Sequence, residues 1–209
     1  MFVWFRRSEC VASAGQMGAL AASAFLVAAA AQAQTVSIVV IGDSNVAGTG
    51  VSHDDRYPSQ LEAALRSKGL DVKVSNQGVN GEVSAATASR SGGIGSGTDI
   101  VVYWNGCQND RRLGYSLDAC KANNTGAFRA LEARGIRTYV IRPPVHDFKM
   151  HTNPALTLGG EGKTMDFRDG RGPVPDGHFR RAGYAQILRG TLAPVQKLVL
   201  DAQKKKKKS

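Results

Sequence analysis

The feature that most constrains the fold is a regular alternation of short apolar runs with amphipathic segments. The run at residues 35–41 is continuously apolar and rich in β-branched residues, which is typical of a buried parallel strand. Similar runs predict further strands at 71–75, 99–104 and 136–141. The intervening segments predict helices at 57–68, 84–90, 117–134 and 178–202. This order predicts an α/β domain with a central parallel sheet of four to five strands and helices on both faces.

The N-terminal 33 residues have the pattern of an export signal. Two arginines precede an apolar run at residues 18–31, which is too short to span a bilayer comfortably. A small-x-small cleavage pattern then ends at Ala33. We therefore expect residues 1–33 to be a cleaved signal peptide and residues 34–203 to form the domain of a periplasmic or secreted protein. An uncut membrane anchor is the alternative.

The positive charge is concentrated at the C-terminus. The formal net charge is +10, and five of the positive charges are consecutive lysines, from Lys204 to Lys208. We expect residues 204–209 to be a solvated, disordered tail, with weak electrostatic contact to an anionic envelope as the alternative. No aromatic or glycine-rich element accompanies these lysines, so we expect no nucleic-acid partner. We expect a monomer.

Residues with catalytic chemistry follow the predicted strands. Ser44 follows the first strand, Gly81 the second and Asn109 the third, whereas Asp176 and His178 precede the last helix. Active sites of parallel sheets lie beyond the carboxyl ends of the strands. The sequence therefore predicts that these four segments meet at one edge of the sheet.

Together these residues provide the groups needed for acyl transfer. His178 can remove the proton that makes the Ser44 hydroxyl a poor nucleophile, and Asp176, two residues earlier, can orient the imidazole ring. Backbone N–H groups of Ser44 and Gly81 and the side-chain amide of Asn109 can stabilise a tetrahedral oxyanion. This chemistry requires no metal and no organic cofactor.

The same residues resemble the four conserved blocks of the SGNH (GDSL) hydrolases. The blocks are Gly42-Asp43-Ser44, Gly81, Asn109-Asp110 and Asp176-x-His178. The stretches "IGDSNVAGTGV" and "PDGHFRRAGYAQIL" are most similar to the secreted thioesterase, lysophospholipase and arylesterase branch. The resemblance implies a three-layer, flavodoxin-like fold. It also implies Ser44 as nucleophile, Asp176 and His178 as its partners, and Gly81 and Asn109 in the oxyanion hole.

The sequence departs from the family pattern at two places. Cys107 occupies the position two residues before Asn109 where the family usually has glycine, and one residue rather than two separates Asp176 from His178. A backbone carbonyl is therefore an alternative to Asp176 as the group that orients the ring. In an exported protein Cys107 and Cys120 can form a disulfide or remain free thiols. A disulfide would pin the loop that carries Asn109.

These observations predict an exported serine ester hydrolase. It would cleave small to medium acyl esters, thioesters or lysophospholipids through an acyl-enzyme on Ser44, with segments 46–55 and 145–175 shaping the acyl pocket. One alternative is a carbohydrate O-acetylesterase on the same fold. Another is a non-catalytic envelope-binding protein on a decayed hydrolase scaffold.

Overall fold

The structure is a computed structural model that describes residues 34–141 and 178–208. The predicted signal peptide, the predicted pocket segment 145–175 and Asp176 lie outside these residues. Most of the predicted strands and helices, together with Ser44, Gly81, Asn109 and His178, lie inside them.

The described residues contain one sheet of four parallel strands in the order β2-β1-β3-β4. The strands are β1 (Val36–Gly42), β2 (Val72–Gly78), β3 (Ile100–Trp104) and β4 (Arg137–Val140). The four predicted strands are confirmed. β2 extends three residues beyond its predicted end because Asn76, Gln77 and Gly78 pair with the last residues of β1. These residues give no apolar signal because β2 lies at an edge of the sheet, where Asn76 is exposed and Gln77 and Gly78 are only half-buried.

Helices cover both faces of the sheet, which confirms the predicted α/β architecture. The long helices are α2 (Tyr57–Ser67), α3 (Ser84–Gly92), α5 (Leu117–Ala133) and α6 (Arg181–Lys206). Two short helices follow strands directly, α1 (Ser44–Ala47) after β1 and α4 (Gln108–Arg112) after β3, and a single 3-10 turn spans His53–Asp55. Within the described part of the chain, no helix is both long and apolar enough to cross a bilayer.

The core consists of two apolar clusters, one on each face of the sheet. On one face Ile38 and Val40 pack with residues of α2 and α6, and on the other Val39 and Ile41 pack with residues of α3 and α5. Successive side chains of a strand point to opposite faces of the sheet. Because helices cover both faces of β1, both sets of its side chains are buried. β1 is therefore the strand around which both layers are organised.

The C-terminal helix continues further than the sequence predicts. α6 runs through Lys204 to Lys206, so the prediction of a disordered tail is wrong for these residues. The Lys206 ammonium lies 2.7 Å from the Asp99 carboxylate and donates to the Thr35 carbonyl at 2.8 Å. Cations in a last turn also interact favourably with the helix dipole. A tertiary ion pair therefore holds Lys206, whereas Lys204 and Lys205 are helical but exposed.

Candidate active site

The turn that carries Ser44 is formed where β1 passes directly into α1. Asp43 caps α1, since its Oδ1 accepts the Asn45 N–H at 2.9 Å. A Cβ on Gly42 would collide with the Trp104 carbonyl oxygen and crowd the Val46 side chain, so only glycine allows this close approach of β1 and β3. The turn places Ser44 at the carboxyl edge of the sheet with only 9% of its surface exposed.

His178 lies against Ser44 although the two residues are 134 positions apart. The distance from His178 Nε2 to Ser44 Oγ is 2.9 Å, which is a hydrogen-bonding distance. The neighbouring residue Phe179 is buried with its ring centroid 5.7 Å from that of Trp104. The structure therefore brings together the predicted nucleophile and the predicted base. Asp176 lies outside the described residues, so its role in orienting the ring stays a prediction.

α6 is fixed to the turn that carries the nucleophile. Near its start, the Tyr184 hydroxyl donates to the Asn45 carbonyl at 2.9 Å, one residue after Ser44. Burial raises the pKa of the Tyr184 hydroxyl, so it remains protonated and able to donate. His178, three residues before α6, is thus close in sequence to a helix that is hydrogen-bonded to the turn carrying Ser44.

Gly81 lies on the loop after β2 and Asn109 in the first turn of α4, and these two segments are joined by a hydrogen bond. Gly81 has φ +74°, a left-handed conformation that favours glycine, and a Cβ there would meet nothing within 4 Å. The Asn109 amide nitrogen donates to the carbonyl of Glu82 at 3.0 Å. An amide NH2 has two hydrogens, and within the described residues the second makes no hydrogen bond. Among the described residues, one Asn109 donor therefore remains for another acceptor.

These loops and the Ser44 turn are connected in a ring. The Val79 N–H donates to the Gly42 carbonyl at 3.0 Å, which attaches the Gly81 loop to the end of β1. The Gly106 N–H donates to the Asp43 carboxylate, which attaches the loop before Asn109 to the same strand end. Hydrogen bonds that each involve at least one main-chain group thus connect the segments that carry Ser44, Gly81 and Asn109.

Asp43 is a buried carboxyl group next to the nucleophile. Burial raises its pKa from 3.8 to about 6. Hydrogen bonds from the Asn45 and Gly106 N–H groups and the charge of His178 act in the opposite direction, whereas Glu82 adds to the increase. The sequence predicted no function for Asp43, although this residue belongs to the Gly42-Asp43-Ser44 block.

Cys107 adopts an unusual backbone conformation at the start of α4. It has φ 60° and ψ 16°, the left-handed region, and it precedes the first residue of that helix. The structure pairs Cys107 with Cys120 of α5 in a disulfide, with the two Cα atoms 6.0 Å apart. The resembled family usually has glycine at this position, and glycine adopts positive φ readily. The departure at position 107 was therefore an indication in the sequence of this backbone conformation.

A buried polar network supports the two loops and was not predicted. The Glu82 carboxylate accepts hydrogen bonds from Arg90 Nε at 2.6 Å and from the Thr87 hydroxyl at 2.7 Å. Asp110 accepts from both the backbone N–H and the hydroxyl of Ser84, at 2.9 and 2.6 Å. Nothing in the spacing of these residues indicated that they would be buried together. In residues 34–141 and 178–208, no His, Cys, Asp and Glu side chains group in threes that could hold a metal ion.

Comparison with known proteins identifies a family that the chain matches. The model of the GDSL-like lipase/acylhydrolase family matches residues 40–204. No curated protein sequence matches the chain.

Several solved structures share the fold. TesA has a TM-score of 0.58 and 19% identity, over 78% of this chain and 99% of its own. The psychrotrophic esterase EstA from Pseudoalteromonas sp. has a TM-score of 0.55 and 18% identity, over 83% and 99%. A Clostridium thermocellum family 3 carbohydrate esterase has a TM-score of 0.58 and 19% identity, over 79% and 100%.

The family match covers all four described strands except the first residues of β1, and it includes Ser44, Gly81, Asn109 and His178. It therefore confirms the resemblance inferred from the sequence. The chain belongs to the GDSL-like lipase/acylhydrolase family, and it is a serine hydrolase that acts on ester bonds.

Proposed function

We propose that this protein is an exported esterase that cleaves acyl esters through a covalent acyl-enzyme on Ser44. The observation that carries the proposal is the 2.9 Å distance between Ser44 Oγ and His178 Nε2. At this distance the imidazole can take the hydroxyl proton directly as the oxygen attacks.

The reaction follows from these positions. His178 accepts the Ser44 proton while Oγ attacks the acyl carbonyl carbon, and the carbonyl oxygen becomes an oxyanion. The N–H groups of Ser44 and Gly81 and the second Asn109 hydrogen stabilise this oxyanion. His178 then gives its proton to the leaving alcohol or thiol. A water molecule, deprotonated by the same imidazole, hydrolyses the acyl-enzyme and releases the acid.

Exposed apolar side chains favour an acyl chain as part of the substrate. Val79, which precedes the Gly81 loop turn, is 42% exposed, and Leu113 and Tyr115, which follow α4, are 65% and 56% exposed. Contiguous exposed apolar side chains can mark binding surfaces, and we infer that these three residues contribute to one beside the active site. On this inference, the substrates are small to medium acyl esters, thioesters or lysophospholipids.

A carbohydrate O-acetylesterase is the second candidate. The similarity to the Clostridium thermocellum family 3 carbohydrate esterase favours it, because that protein has the same fold over its whole length. p-Nitrophenyl esters with two to sixteen acyl carbons, assayed beside acetylated xylan, separate the two. Turnover that rises with acyl length supports the acyl esterase, whereas release of acetate from xylan with poor turnover of longer esters supports the alternative.

Labelling by a fluorophosphonate tests the nucleophile. We expect a single adduct on Ser44 in the wild type and none in Ser44→Ala, with ester turnover lost in Ser44→Ala and strongly reduced in His178→Ala. Ser67→Ala is the matched control, because Ser67 is an exposed serine that bonds only within α2 among the described residues. A wild type that forms no adduct and turns over no ester would favour the non-catalytic envelope-binding protein.

Determining the first residue of the mature protein tests whether it is exported. The sequence pattern supports cleavage after Ala33, and a disulfide is typical of proteins in an oxidising compartment. We expect protein recovered from the periplasm or medium to begin at Gln34. Active protein that is found only in the cytoplasm and retains Met1 would contradict export.

A further inference from the structure

The left-handed conformation of Cys107 is exceptional in this chain. Among the described residues, all other positive φ angles belong to glycines. A side chain with a Cβ disfavours this region, and cysteine lacks the short polar side chain that lets asparagine and aspartate enter it. Other contacts must therefore hold Cys107 in a conformation that its own backbone preference opposes.

The contacts that hold Cys107 come from both sides of the loop. Its N–H donates to Asn105 Oδ1 at 3.0 Å, and its disulfide partner Cys120 is fully buried in α5. α5 is a firm anchor, since Phe128 and Leu131 on the same helix belong to the apolar core. The disulfide is the covalent link among these contacts.

The conformation of Cys107 determines the direction of α4 and the position of Asn109. α4 has only five residues, begins directly after Cys107 and carries Asn109 in its first turn. A different φ at position 107 would turn the start of this helix and move the Asn109 amide away from the Glu82 carbonyl, to which it is now bonded. Oxyanion donors act only when they are placed accurately in advance of the reaction.

We propose that the Cys107–Cys120 disulfide positions the oxyanion hole by holding Cys107 in the left-handed conformation that glycine would adopt unaided. The inference rests on the proposed role of Asn109 as an oxyanion donor. Cys107 and Cys120 are positioning residues, because they act on the reaction through Asn109. Reduction by a dithiol, which delivers two electrons and two protons and is itself oxidised to a disulfide, converts the pair to two thiols and releases the constraint.

Two cysteine variants separate the crosslink from the conformation. Cys120→Ser removes the disulfide and leaves a side chain at position 107. We expect kcat to fall roughly 10-fold and KM to stay within about 2-fold of the wild type. This loss is smaller than the roughly 100- to 1000-fold loss that is typical when an oxyanion donor is removed. Cys107→Gly/Cys120→Ser also lacks the disulfide, but glycine can adopt φ 60° without strain. We expect this double variant to recover kcat to within about 3-fold of the wild type.

A double-mutant cycle with Asn109→Ala tests whether the disulfide acts through Asn109. We expect Asn109→Ala and Asn109→Ala/Cys120→Ser to have the same kcat, because the second change has no donor left to misplace. The matched control is Leu65→Ala, which removes a fully buried side chain of α2, outside α5, and should retain kcat well below its melting temperature. If Cys120→Ser does not fold, wild type treated with dithiothreitol and quantified by alkylation replaces it, and its kcat should fall with the reduced fraction.

Three results would overturn the inference. They are an unchanged kcat in Cys120→Ser or in the reduced wild type, no recovery in Cys107→Gly/Cys120→Ser, and a further loss when Cys120→Ser is added to Asn109→Ala. Failure of the proposed function has a different signature. An Asn109→Ala variant with wild-type kcat would remove Asn109 from the oxyanion hole, and an active Ser44→Ala variant would remove the acyl-enzyme.

Discussion

At the scale of single residues, Asp43 shows how a carboxyl group beside a nucleophile can be used for structure. Its side chain accepts N–H groups from Asn45 in the same turn and from Gly106 in the loop before α4. Two hydrogen bonds to an ionised carboxylate lower its pKa, but burial has the larger effect and raises the pKa to about 6. Asp43 therefore joins two parts of the site, and its charged form is destabilised by burial.

The raised pKa of Asp43 predicts a specific pH dependence of stability. Its folded pKa, about 6, is above the 3.8 expected for the unfolded chain, so its stabilising contribution is complete below about pH 4 and is lost as the pH rises through 6. The loss is on the order of 3 kcal/mol. Asp43→Asn lacks this contribution. Urea unfolding at pH 4, 5, 6 and 7 should therefore show the free energy of unfolding of Asp43→Asn rising relative to the wild type across this range, whereas parallel profiles would contradict the prediction.

The sequence was informative about residues that lie next to the end of a predicted strand or the start of a predicted helix. Ser44 and His178 could be predicted because each stands next to the first or last residues of a strongly patterned element. The burial of Asp43 and the pairing of Glu82 with Arg90 could not, because burial depends on which elements pack together rather than on local pattern. Cys107 was predicted as a departure from the family, but its φ angle depends on a loop whose path the sequence does not define.

At the scale of elements, α2 and α6 are joined by a buried hydrogen bond as well as by apolar packing. The Tyr57 hydroxyl donates to Thr191 Oγ1 at 2.9 Å, and burial raises the pKa of Tyr57 above its ordinary value. Both helices were predicted from their apolar spacing, but the end of α6 was not. Its last turn depends on Asp99, which lies far away in sequence and just before β3.

Removing one partner of the Tyr57–Thr191 bond should cost more than removing both. Thr191→Val leaves a buried hydroxyl of Tyr57 without an acceptor, and we expect a loss of about 1–3 kcal/mol in the free energy of unfolding. Tyr57→Phe should cost about 1 kcal/mol, because the Thr191 hydroxyl still donates to the Leu188 carbonyl. Denaturant unfolding of the two single variants and the double variant measures the coupling. Strict additivity would show that this hydrogen bond does not link the helices.

At the scale of the whole molecule, the two apolar clusters share one central strand. Alternate residues of β1 enter opposite clusters, so neither cluster can lose its packing without disturbing the strand on which the other depends. Trp104, at the end of β3, belongs to the cluster formed with α2 and α6. In a chain that begins at Gln34 it is the single tryptophan, so its fluorescence reports directly on the packing of that cluster.

A cavity in the cluster on the opposite face should therefore lower the unfolding midpoint that Trp104 fluorescence reports. Leu131 is fully buried in the cluster formed with α3 and α5, and Leu131→Ala should lower the free energy of unfolding by about 2–5 kcal/mol. Because β1 connects the clusters, Trp104 fluorescence and far-UV circular dichroism should show one transition with the same lowered midpoint. Leu61→Ala, on the Trp104 side, is the matched control and should behave alike. A Trp104 midpoint that stays at the wild-type value while circular dichroism shows two steps would mean that the layers unfold separately.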